Sequence, residues 1–173
     1  MVIWLTGMSG AGKTTICTAL HDLLKPHLPE LVLLDGDVIR RAFSQDLGFI
    51  ESDRKVQIGR IQKLAKILSD QNLIVLVGAL YAHPDLLSWN RQNLQPYFEV
   101  YVKASMSLLK ERDSKGLYGS SAPNVVGVDI PWHEPTHSDL VIDADQLPNP
   151  ASVAHDIARA VPRLAAKLSE IQQ

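Results

Sequence analysis

The sequence predicts an α/β fold: a three-layer α/β/α sandwich around a mainly parallel, five-stranded sheet. Five short apolar runs alternate with stretches of helical periodicity, and the first run ends in a glycine-rich turn that opens a helix. The 173 residues, 46% hydrophobic and 21% charged, suffice for one core of ordinary size but not for two, so residues 1–173 read as a single domain.

In chain order, residues 2–6 form a buried-strand run, and Ile16, Leu20, Leu23 and Leu24 recur at helical spacing over residues 14–24. Residues 31–34 are the second strand, and a short helix holds residues 38–43. A long helix starting near Asp53 carries Ile61, Leu64, Ala65 and Leu68 at i, i+3, i+4 and i+7. Residues 73–77, 98–102 and 140–142 complete the strands, with helical patterns at 86–94, 106–112 and 153–171. Pro162 falls inside the last pattern, where it removes a donor and clashes with the preceding turn, which predicts a break near Val161. Residues 119–124 read as a mobile loop.

Composition excludes several classes of function. Seventeen basic against nineteen acidic residues leave a formal charge of −2, without the field that draws nucleic acid or an anionic membrane. The single cysteine, Cys17, can form no internal disulfide and lies where a small buried hydrophobe is expected. His133 and His137 straddle Pro135, which spoils the helix that would align them on a metal. The N-terminus lacks the basic flank and long apolar stretch of a secretory signal, so the expected location is the cytoplasm.

Gly7-Met8-Ser9-Gly10-Ala11-Gly12-Lys13-Thr14 satisfies G-x-x-x-x-G-K-[ST] directly between a strand and a helix, the context in which the pattern binds phosphate. Glycines let backbone N–H groups converge on phosphate oxygens, and the helix N-terminus adds its positive end. Lys13 is expected to reach the β- and γ-phosphates of ATP and Thr14 to ligate Mg²⁺, with Thr15 as a further phosphate or helix-start contact. Asp35 and Asp37 stand at the end of the second strand, the edge at which open parallel sheets bind ligands. Asp37 is the candidate base for an acceptor hydroxyl and Asp35 orders magnesium or its waters; these roles can be exchanged, and the pair can instead cap the following helix.

The segment from Ile3 to Thr15, Asp35-Gly36-Asp37 with Arg40, and Asp46-Leu47-Gly48-Phe49 with Asp53-Arg54 resemble adenylylsulfate kinase. So do Glu111-Arg112-Asp113, Lys115-Gly116-Leu117-Tyr118, Gly127-Val128-Asp129 with Pro131, and Glu134-Pro135, which are similar to that family's lid, here about residues 112–136. The resemblance implies a P-loop kinase that moves the γ-phosphoryl of ATP to the ribose 3′-hydroxyl of adenylyl sulfate. It implies that Arg112 contacts ATP, that Arg40, Arg54 and Lys115 bind an anionic acceptor, and that Phe49 stacks on its base. Without it, Phe49 reads as a core residue and Arg112 and Lys115 as solvated surface charges. A homodimer is the expected assembly.

The match departs from the family around the acceptor. Leu80-Tyr81-Ala82-His83-Pro84 replaces Ile-Ser-Pro-Tyr-Arg, Val56-Gln57 replaces Glu-Asn, and Val125-Val126-Gly127 replaces Phe-Thr-Gly in a lid about four residues shorter. Gln57, Leu80, Tyr81 and Val125 are therefore expected acceptor contacts in a rebuilt pocket that has lost one aromatic wall. Residues 90–94, 97–99 and 124–129 look like a subgroup acting on other nucleotide conjugates, such as cytidine diphosphoramidate kinase. A non-catalytic ATP-binding switch is the alternative from another class; retention of Lys13, Thr14, Asp35, Asp37 and Arg112 argues against it.

Overall fold

A computed structural model describes residues 1–113, 116–119, 123–146 and 149–171, excepting the side chains of Glu170 and Ile171. Five strands, β1 (Val2–Thr6), β2 (Leu31–Asp35), β3 (Ile74–Ala79), β4 (Tyr97–Lys103) and β5 (Leu140–Asp143), form one sheet in the order β2-β3-β1-β4-β5. Every pairing is parallel. The helices are α1 (Lys13–Leu24), α2 (Gly36–Phe43), α3 (Glu51–Asp70), α4 (Pro84–Asn93), α5 (Met106–Arg112), α6 (Pro150–Ala160) and α7 (Pro162–Ile171).

The period-2 geometry of β1 explains both cores. Ile3 and Leu5 enter one cluster with Leu20 and Leu24 of α1, Ile157 of α6 and Leu164 of α7. Val2 and Trp4 enter the other with Ile39, Ile58, Ile61 and Ala65 of α2 and α3. A strand covered on both faces reads as an unbroken apolar run, which is what β1 is.

The predicted break is real: α6 ends at Ala160, Val161 caps it, and Pro162 begins α7. Strand β3 runs beyond the predicted 73–77 through Gly78 and Ala79, because Leu5 and Thr6 of β1 supply ladder partners. Gly78 is tolerated there since a Cβ would stand 3.2 Å from the Cys17 sulfur. Helix α3 starts at Glu51, ahead of the expected Asp53, and α4 starts at Pro84, where His83 accepts the Asp85 N–H. Of the predicted loop at 119–124, residues 120–122 lie outside the described residues. Among the described residues no helix is long and apolar enough to cross a membrane.

The register decides where the chemistry gathers. Thr6 pairs with Ala79 and Asp35 with Gly78, so β1, β2 and β3 end level with one another. The glycine-rich loop, Asp35-Gly36-Asp37 and Leu80-Tyr81 therefore leave the sheet at one carboxyl edge.

Candidate active site

The glycine-rich loop turns tightly against β4: a Cβ on Gly7 would fall 2.4 Å from the Val102 carbonyl oxygen, which a backbone in mid-sheet cannot yield. Gly12, at φ 103, is the residue before α1, and α1 has neither a side-chain cap nor an acidic residue in its first turn. Its N-terminal N–H groups thus remain directed at an incoming anion. Lys13 Nζ donates to the carbonyls of Gly7 and Met8, both at 2.8 Å. Cys17 is buried as expected; desolvation, with the charge of Asp35, pushes its thiol up and leaves it inert.

Asp35 acts at two places. Its Oδ1 accepts from the backbone N–H of Asp37 (2.9 Å) and Val38 (3.1 Å), capping α2, so the capping reading holds for this residue. Its Oδ2 accepts from the Thr14 hydroxyl at 2.7 Å, which brings a hydroxyl and a carboxylate from separate elements together. Asp37 stands exposed in the first turn of α2.

A cleft of about 1160 Å³ joins these groups to the expected acceptor side. Its wall includes Ser9, Gly10, Ala11, Gly12, Lys13, Thr14, Thr15, Asp35, Asp37, Arg40, Phe49, Arg54, Gln57, Leu80, Tyr81, Arg112 and Val125. Gly7 and Met8, the first two residues of the loop, do not line the cleft; their carbonyls accept from Lys13 Nζ. Lys115 lies outside the described residues. Arg112 donates to Gly10 O at 3.4 Å, which ties it to the loop.

Phe49 is 56% exposed, so it is not the core residue its type alone suggested. It sits in the irregular segment between α2 and α3, with the Arg40 guanidinium 4.7 Å and that of Arg54 5.7 Å from its ring centre. Arg54 is 9% exposed and donates to Phe49 O (2.9 Å) and Asn124 O (2.7 Å), pinning one wall to the other. Burial and then the charge of Arg40 hold its pKa below the usual range; burial does the same to Arg40, opposed by Asp37 and Asp53. Two partly desolvated cations at one end of a cleft favour an anion there.

Gln57 is buried, its Nε2 3.3 Å from Gly36 O and its Oε1 without a partner. Tyr81 is 2% exposed and its hydroxyl donates to Glu51 Oε1 at 2.8 Å. Burial and then that carboxylate push its pKa up, so it stays a neutral donor. Val125 is buried; its N–H donates to Asp129 Oδ2 at 3.1 Å, and Gly127, at φ +89, lies so close to Met8 that a Cβ would come 2.8 Å from its sulfur. Asn124 and Arg41 also line the cleft and escaped the sequence reading, since only folding brings loop 123–126 and the outer face of α2 to it. Among the described residues no group of three or more His, Cys, Asp and Glu side chains could hold a metal ion.

A glycine-rich loop and lysine at the carboxyl edge of a parallel sheet, beside a threonine–carboxylate pair and an arginine-flanked aromatic, define a P-loop phosphotransferase. The family model described as adenylylsulphate kinase matches residues 1–143, and the chain belongs to that family. It is an ATP-using kinase whose reaction phosphorylates a hydroxyl group. It is 40% identical over 149 residues to the cytidine diphosphoramidate kinase of Campylobacter jejuni, covering 82% of this chain and 85% of that one. It is 36% identical over 172 residues to the adenylyl-sulfate kinase of Geotalea uraniireducens, covering 96% and 82%. Among solved structures, the APS kinase of Mycobacterium tuberculosis in complex with AMPPNP and APS superposes with a TM-score of 0.83 at 27% identity, over 92% of this chain and 95% of that one.

Proposed function

We propose that this protein transfers the γ-phosphoryl group of ATP to the ribose 3′-hydroxyl of a nucleotide conjugate, with adenylyl sulfate as the acceptor. The observation that carries the reading is Phe49, exposed between Arg40 and Arg54 in the same cleft as Lys13 and Asp37. A ring flanked by two guanidinium groups suits a base joined to a run of negative charge. On this reading Asp37 accepts the proton of the acceptor hydroxyl as its oxygen bonds to the γ-phosphorus. The bond from that phosphorus to the bridging oxygen breaks, and ADP leaves. Lys13 and the loop N–H groups stabilise the charge that spreads over the migrating phosphoryl.

A hydroxyl and a carboxylate oxygen 2.7 Å apart on the cleft wall suit a hard divalent cation, so Thr14 and Asp35 would hold magnesium, in part through water. When bound it neutralises phosphate charge. Residues 1–173 act as one domain, with about 112–136 as its lid. The exposed apolar side chains Val38, Phe43, Ile50 and Val56 on and between α2 and α3 support a homodimer, which sedimentation at several concentrations checks.

A second reading, cytidine diphosphoramidate as acceptor, is favoured by Val125: an aliphatic wall offers a purine less stacking than an aromatic one. The relative from Campylobacter jejuni is in line with it. A coupled ADP-release assay against adenylyl sulfate, cytidine diphosphoramidate and ordinary nucleoside monophosphates tests both. Turnover with adenylyl sulfate at the higher kcat/KM supports the first reading, a preference for the cytidine conjugate replaces it with the second, and ADP release that no acceptor stimulates refutes both.

A further inference from the structure

Four successive carbonyls of the glycine-rich loop are each held by a side-chain donor. Lys13 takes those of Gly7 and Met8, Arg112 that of Gly10 at 3.4 Å, and the Tyr118 hydroxyl that of Ser9 at 2.8 Å. Tyr118 and Ser9 are 109 residues apart, so this contact exists only because the fold brings Tyr118 against the loop.

In a trans peptide the C=O of one residue and the N–H of the next point in opposite directions. A donor that fixes Ser9 O therefore also fixes the direction of the Gly10 N–H, at the other edge of the same peptide plane. Both residues line the cleft, and Gly10, at φ +81, has no side chain to restrict the rotation of that plane. Lys13 cannot keep this geometry once nucleotide arrives, because its ammonium is then drawn to the phosphates. A neutral phenol has no such competing attraction.

Tyr118 is itself held firmly. Its ring packs against the core cluster on the α1 side of the sheet. Its backbone N–H lies 3.1 and 3.2 Å from the two carboxylate oxygens of Asp113, which also accept from Leu117 (2.6 Å) and Gly119 (3.0 Å). Desolvation works against that carboxylate, but the three backbone donors outweigh it and hold its pKa below the usual range.

From this geometry we infer that Tyr118 is a positioning residue for nucleotide binding, orienting the Ser9–Gly10 peptide for phosphate through a hydroxyl supplied by the lid. The inference rests on the assignment of the loop to ATP phosphates and is independent of the acceptor's identity. Tyr118→Phe keeps the ring and its packing and removes only the hydroxyl. Calorimetric titration with the β,γ-imido analogue of ATP in magnesium buffer should show binding weakened about 3- to 10-fold, the scale of one neutral hydrogen bond. The melting temperature without ligand should stay within about 2 °C of the parent's, a shift below that of 1 kcal/mol in a chain of this size. Where an acceptor is turned over, KM for ATP should rise and KM for the acceptor should not. Unchanged analogue affinity, or a loss that tracks a lower melting temperature, overturns the inference. Failure to phosphorylate any nucleotide conjugate would refute the proposed function and leave this binding test standing.

Discussion

Asp35 offers a substitution whose structural and chemical effects separate. Its two oxygens serve different partners: Oδ1 caps α2 and Oδ2 faces the Thr14 hydroxyl. Asn caps helices about as well as Asp, so Asp35→Asn keeps the cap through its amide oxygen and turns its NH₂ toward Thr14, whose oxygen can accept. Stability should then change by less than about 0.5 kcal/mol. Asp35→Ala removes the cap, a cost of about 1 kcal/mol, and takes the acceptor from the Thr14 hydroxyl. That corresponds to a fall of about 2–4 °C in melting temperature for each kcal/mol lost. For magnesium the two variants should behave alike, since neither offers an anionic oxygen. The concentration giving half-maximal activity should rise by about tenfold or more, equivalent to about 1.4 kcal/mol. Thermal melts beside magnesium titrations of ADP release measure both quantities. A wild-type magnesium response in Asp35→Asn would refute the metal role. Equal loss of melting temperature in both variants would refute the division of labour between the two oxygens.

Three further outcomes follow from the cleft and from the residues after α5. Phe49→Ala removes an exposed ring, so the melting temperature should hold while KM for the acceptor rises about 5- to 100-fold, the worth of one stacked base; an unchanged KM would remove Phe49 from the acceptor site. Tyr81→Ser empties a buried site and should cost about 3–5 kcal/mol, whereas Tyr81→Phe loses only the bond to Glu51 and about 1 kcal/mol; denaturant melts that show Tyr81→Ser no worse than Tyr81→Phe would contradict the burial. Because the folded pKa of Asp113 is depressed, its contribution is present above the unfolded value of about 3.9 and is lost as pH falls through the folded one. The gap in melting temperature between the parent and Asp113→Asn should therefore narrow as pH falls from about 5 toward 3, and a gap that widens would reverse the sign.

What could be read from the sequence follows the range of the interaction responsible. The break at Pro162 is a clash within one turn, and the loop from Gly7 to Thr14 carries its phosphate geometry in eight consecutive residues, so both were legible. The extension of β3 through Gly78 and Ala79 was not, because Gly reads locally as punctuation while the parallel partners Leu5 and Thr6 decide the matter. Phe49 illustrates the same limit in the site: composition assigns an aromatic to the core, and only its position between α2 and α3, flanked by Arg40 and Arg54, turns it outward. The resemblance could place Phe49 outside the core, as a candidate base platform, because homologous positions carry tertiary context that a window of sequence does not.

Tyr81 shows two demands on the proposed acceptor pocket meeting in one side chain. Its ring belongs to the buried cluster that also holds Trp4 and Ile61, and the same residue lines the cleft. Its hydroxyl is committed to Glu51, so toward a ligand it retains lone pairs rather than its proton. A recognition role through a donated hydrogen bond would require that bond to Glu51 to break, at a cost the ligand must offset. Contact through the ring requires no such exchange. Whatever Tyr81 contributes to acceptor choice is therefore shape first, and a change of specificity at this position must begin with Tyr81→Phe, which leaves the shape in place.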